Sequence, residues 1–118
     1  MRPLHAQLAT VLVLYFTAVG LWGMALGVRG AAPSPGFRGA LVIAEIAAVV
    51  QGAVGLALWL FVRAPSEPVH VLYGVALVVA MPLAATLVQG RTPRGQSVAL
   101  GLAALFTAGL AVRGITTA

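Results

Sequence analysis

Four separate stretches of about twenty apolar residues decide what this chain can become. A helix needs about 20 mostly apolar residues to cross ~30 Å of hydrocarbon. The stretches at 8–28, 40–62, 69–88 and 96–115 each reach that length. In lipid every backbone N–H and C=O must be satisfied within the chain, which leaves only helices or a closed barrel. Barrel strands alternate apolar and polar residues, and these runs do not. The sequence therefore predicts an all-α membrane protein: a compact antiparallel bundle of four transmembrane helices, forming one integral membrane domain over residues 1–118.

Composition agrees. The chain is 61% hydrophobic and 8% charged, with a mean hydropathy of +1.05, against about 25% charged residues in a soluble domain. Too little polar surface remains to cover a water-facing protein. The seven basic residues are all Arg and are scattered, so no run tracks phosphates and no nucleic-acid partner is expected. With no cysteine, disulfides, thiolate metal sites and cysteine nucleophiles are excluded. The partners to expect are membrane lipid and other membrane proteins, in the inner (cell) membrane of a bacterium.

The connectors carry helix breakers. Residues 29–39 include Ala-Ala-Pro-Ser-Pro-Gly, residues 64–68 read Ala-Pro-Ser-Glu-Pro, and residues 90–95 read Gly-Arg-Thr-Pro-Arg-Gly. Short links make sequential helices antiparallel neighbours. The first apolar run is longer than the 7–15-residue core of a signal peptide and only Arg2 precedes it, so it reads as a true span. Four spans put both termini on one side, with Arg2, Arg63, Arg113, His5, Glu67 and His70. The opposite side holds Arg29, Arg38, Arg91 and Arg94, an excess of one Arg that makes it weakly cytoplasmic. Insertion of copies in both directions is the sharper alternative. Val-Leu-Tyr recurs at 13–15 and 71–73, a faint echo of two related hairpins.

Small residues mark the packing faces, because they let backbones approach closely. Gly20, Gly23 and Gly27 stripe the first helix, Ala44, Ala48 and Gly52 the second, and Gly101, Ala104 and Ala108 the fourth. The first helix is terminal, so its glycine stripe is expected to face a larger partner. Trp22 and Trp59 suit the interfaces. Pro82 is expected to kink the third helix, and Gln51 to bond a neighbouring helix.

Glu45 is the one acidic residue inside a span. A charge there costs about 2.5–3.5 kcal/mol on insertion scales and usually faces the bundle interior. It is expected about two turns from the second helix's start, beside Ala48 and Gly52, within reach of Arg38, Arg91 or Arg94. An ion pair is the plain reading, a proton-coupling carboxylate the functional one. The architecture is similar to that of small multidrug transporters, but their glutamate lies in the first helix, where this chain has none.

His5 and His70, at the terminal ends of the first and third helices, are the only imidazoles. They are the only candidates to ligate a b-type haem, and His70 with Tyr73 shares a face that a quinone headgroup could use. No phosphate loop, catalytic triad or paired carboxylates accompany them, so neither catalysis nor an obligatory cofactor is expected. The leading expectation is a small accessory subunit of a larger membrane complex, of the respiratory or photosynthetic electron-transfer kind. The alternatives are an antiparallel homodimeric transporter working through Glu45, and a haem or quinone protein using His5, His70 and Tyr73.

Overall fold

A computed structural model describes residues 2–65 and 67–117, apart from the side chain of Arg2, whose side assignment therefore lies outside the described residues. Among the described residues there are four α-helices: α1 (Arg2–Val28), α2 (Pro35–Phe61), α3 (Val69–Leu87) and α4 (Pro93–Thr117). All four are long and apolar enough to cross a membrane, and no strand occurs among the described residues. They pack as an antiparallel bundle with extents of 47 × 22 × 20 Å, which exceeds the ~30 Å hydrocarbon layer and carries the helix ends into both headgroup regions.

Three helices begin earlier than hydropathy suggests. The α2 helix starts at Pro35 rather than Ala40 because Ser34 caps it, its Oγ accepting from Phe37 N at 3.2 Å, and Pro35 takes the first turn. Proline has no N–H to lose there and its φ is already helical. The Pro-Gly pair that reads as a breaker is thus a helix start. Likewise α1 begins at Arg2 and α4 at Pro93, since hydropathy reports the apolar window and not the helix that extends beyond it. Helix α1 ends in a Schellman turn: Gly30 takes φ +70°, and Ala31 N donates back to Leu26 O at 2.8 Å. Pro82 does not divide α3, which runs through it as one α-helix with Pro82 on its exposed side.

Around the bundle the order is α1, α2, α3, α4, and the α1–α4 contact that closes the ring is the most extensive. The diagonal pairs make no close backbone approach among the described residues. Leu12, Phe16 and Val19 of α1, Phe37, Ala44 and Ala48 of α2, Leu77 and Met81 of α3, and Leu100, Ala104, Ala108 and Ala111 of α4 form the core. Tyr15 OH donates to Ala40 O at 2.9 Å, and Ser97 Oγ to Ala31 O at 2.6 Å, tying α1 to α2 and α4 to the first connector.

The glycine stripe of α1 lies in the α1–α4 seam. A Cβ built on Gly23 would stand 2.7 Å from Gly101 Cα and 2.9 Å from Phe37 Cζ. One on Gly20 would meet Leu105, and one on Gly27 would meet Val98. The expected outward, partner-binding stripe is therefore internal packing. Being first in sequence does not leave a helix edge free when the last helix closes back on it.

Candidate functional site

At the end of the bundle that holds both termini, each of the four helices contributes a polar side chain to one cluster. Helix α1 supplies His5, α2 Gln51, α3 His70 and Tyr73, and α4 Arg113 and Thr117. Gln51 is 6% exposed and Thr117 2%, whereas both histidines are half-buried. The Gln51 amide donates from Nε2 to His5 O at 2.9 Å. A carbonyl can only accept, so this bond fixes which end of the amide points where. His70 Nδ1 lies 3.2 Å from Thr117 Oγ1, and Thr117 Oγ1 lies 2.8 Å from Arg113 O. The two imidazoles, on helices that are diagonal in the bundle, come to 6.1 Å between ring centres with planes at 73°. Gly55 makes this possible, since a Cβ there would press to 3.0 Å on His5 Cε1. Beside them the Arg113 guanidinium stands 5.6 Å over the Tyr73 ring, a cation–π arrangement.

Two atoms of this cluster are orphaned. His5 Nδ1 and Gln51 Oε1 are buried with no hydrogen-bond partner. Buried polar groups in native proteins are almost always paired, so a pair of orphans in neighbouring side chains marks a place where something is accommodated or closes.

Glu45 forms the second site, elsewhere in the bundle. With α2 starting at Pro35, it lies ten residues, nearly three turns, into a 27-residue helix, somewhat deeper than expected. The inward stripe of α2 runs through Ala44, Ala48 and Gln51, all buried, and at 100° per residue Glu45 stands to one side of it. It is half-buried and lines a groove with Val42, Ile46, Val49 and Val50, four exposed residues. Its Oε1 is buried without a partner. The expected arginine partnership is not made there: Arg38 donates instead to Gln96 Oε1 at 3.3 Å, and Arg91 and Arg94 are exposed. Arg38 sits in the first turn of α2, about 10 Å along the axis from Glu45 at 1.5 Å per residue, too far for direct pairing without leaving Gln96.

His5 and His70 are thus brought together, and the Tyr73 ring lies under the Arg113 guanidinium. Thr117 and Arg113 as members of the cluster were not legible beforehand. Gln51 was legible only as an amide that would bond a neighbouring helix, as it does at His5 O, and not as a neighbour of the two histidines; Gly55 one turn on is where the His5 ring finds its space. The remaining packing residues behave as small residues do: Ala44 and Ala48 are fully buried, and a Cβ on Gly52 would touch Val78 at 3.3 Å.

No family model matches this chain, and neither a curated protein nor a solved structure does.

Proposed function

We propose that the chain is a small subunit of a larger membrane assembly, docked along the outer face of α2. The observation that carries this is Glu45 Oε1, buried and partnerless in a groove whose other walls are exposed valines and isoleucine. In hydrocarbon such a group has no water to turn to, and ionisable residues inside spans face protein or a polar partner. The partner that fits is a transmembrane helix with an apolar surface and one donor, an Arg, Lys, Asn or Gln, at the depth of Glu45. Helices α2 and α3 leave room for it, with 17% and 11% of their apolar windows buried against 39% for α1 and α4.

A second reading keeps the same residue. Glu45 is three positions from the midpoint of α2, so two antiparallel copies meeting along this face would hold their carboxylates about 9 Å apart along the axis. That suits a homodimeric transporter.

A photo-crosslinking residue at Ile46, compared with one at Leu102 on the exposed side of α4, separates these. A protein adduct from Ile46, absent from Leu102 and lost in Glu45→Leu, supports docking on α2. An adduct with a second copy of this chain selects the transporter. Lipid adducts alone from both positions overturn the proposal.

A further inference from the structure

We infer that the groove between the end of α3 and the start of α4 holds one anionic phospholipid, with its phosphate on Arg91 and an acyl chain against the two helices. The site is independent of the α2 face. Ala84, Leu87, Val88 and Ala99 wall an open groove of about 320 Å³, and Arg91 in the connecting turn lines one end of it. Ligand sites begin at about this size. Val88 is buried, Ala84 and Ala99 are half-buried, and Leu87 is exposed. Two of the four wall residues are alanines, so little side chain fills the space. An apolar wall topped by a cation is the complement of an amphiphile with an anionic head. A partner helix would follow α3 along its length, whereas the groove is confined to the helix's last turn.

Depth and charge point the same way. Arg91 lies between the end of α3 at Leu87 and the start of α4 at Pro93. In a bundle 47 Å long that turn stands outside the ~30 Å hydrocarbon layer, at the level of lipid phosphates. A guanidinium presents a planar fork of donors that matches phosphate oxygens. The same end of the bundle carries Arg29, Arg38 and Arg94, all exposed like Arg91. The two acidic side chains lie elsewhere, Glu67 in the connector at the opposite end and Glu45 ten residues into α2. Arg38 donates to the neutral Gln96 Oε1 at 3.3 Å, and Gln96 Nε2 donates to Arg91 O at 3.2 Å. A second guanidinium is thereby tied to the turn that carries Arg91, with no carboxylate to neutralise either. The leaflet supplies the missing anion, and basic pockets between spanning helices are where acidic headgroups bind.

The test uses the full chain in detergent micelles, titrated with phosphatidylglycerol or with phosphatidylcholine of the same acyl chains and followed by native mass spectrometry. The expected result is one phosphatidylglycerol per chain, retained in preference to phosphatidylcholine. Arg91→Gln should weaken that binding about fivefold, the effect of one arginine near an anionic headgroup. Arg94→Gln removes the same charge outside the groove and should weaken it clearly less. Ala84→Leu leaves every charge in place but fills the groove, and should weaken binding as much as Arg91→Gln does. The two exposed arginines decide the matter if Ala84→Leu fails to fold. Equal losses in the two arginine variants, or binding unchanged in Arg91→Gln or in a folded Ala84→Leu, overturn the inference. So does phosphatidylcholine held as tightly, or phosphatidylglycerol displaced by inorganic phosphate at the same concentration. A second copy of the chain in place of the lipid, lost in Arg91→Gln, overturns it in favour of a protein contact.

Discussion

A Cβ placed on Gly23 would stand 2.7 Å from Gly101 Cα, whereas one placed on Gly39 of α2 or Gly74 of α3 would meet nothing within 4 Å. The same residue type does opposite things in the two halves of the bundle. Along the α1–α4 seam glycine lets two backbones touch, so Gly101 in turn would clash with Gly20 O and Met24 N at 2.9 Å. On the outer faces of α2 and α3 it is open surface. The seam is finished within this chain; the outer half is not, and the partnerless Glu45 lies in the unfinished part. In lipid there is no hydrophobic force between helices, so close backbone packing must hold the seam, while the outer half is free to be covered by lipid or by protein.

The largest effect should come from filling the seam. Gly23→Leu should destabilise the bundle by about 3 kcal/mol or more, because the obstacle is backbone and cannot rotate away. Unfolding in mixed detergent micelles checks this, and a variant as stable as the parent would mean that the α1 and α4 backbones do not meet at Gly23. Next, Gln51→Leu removes the bond to His5 O and should cost about 1 kcal/mol or less, the range of interhelical hydrogen bonds in membranes. Gly74→Ala should go the other way, stabilising the isolated chain by about 0.5–1 kcal/mol, since the helix gains in propensity and the added methyl meets nothing. A loss of stability there would mean that α3 packs against something within the bundle. Last is Glu45→Leu, which should leave the isolated fold no less stable, because it replaces a buried, partnerless carboxylate with an apolar side chain. Its effect should appear instead in the assembled membrane, as loss of the Ile46 adduct. Strong destabilisation of the chain alone would make Glu45 an internal packing residue and remove the contrast between the halves.

Hydropathy alone determined that four helices span, where their apolar windows lie, and that Glu45 and the two histidines are the residues in need of an account. Those conclusions hold because the price of exposing backbone or charge to hydrocarbon depends on composition and length, not on neighbours. Helix starts were hidden where a cap outside the apolar window sets them, as Ser34 does for α2. Tertiary structure decided which faces meet. Small-residue stripes occur on α1, α2 and α4 alike, and only the mutual fit of Gly20 and Gly23 with Gly101 shows that α1 turns its stripe to α4 and not to a partner. His5 and His70 are 65 positions apart on diagonal helices. They meet because the ring of helices is narrow enough for two imidazoles to reach across it and because Gly55 leaves the space for one of them. Such a juxtaposition depends on distances between helices, which no pattern along a single helix encodes.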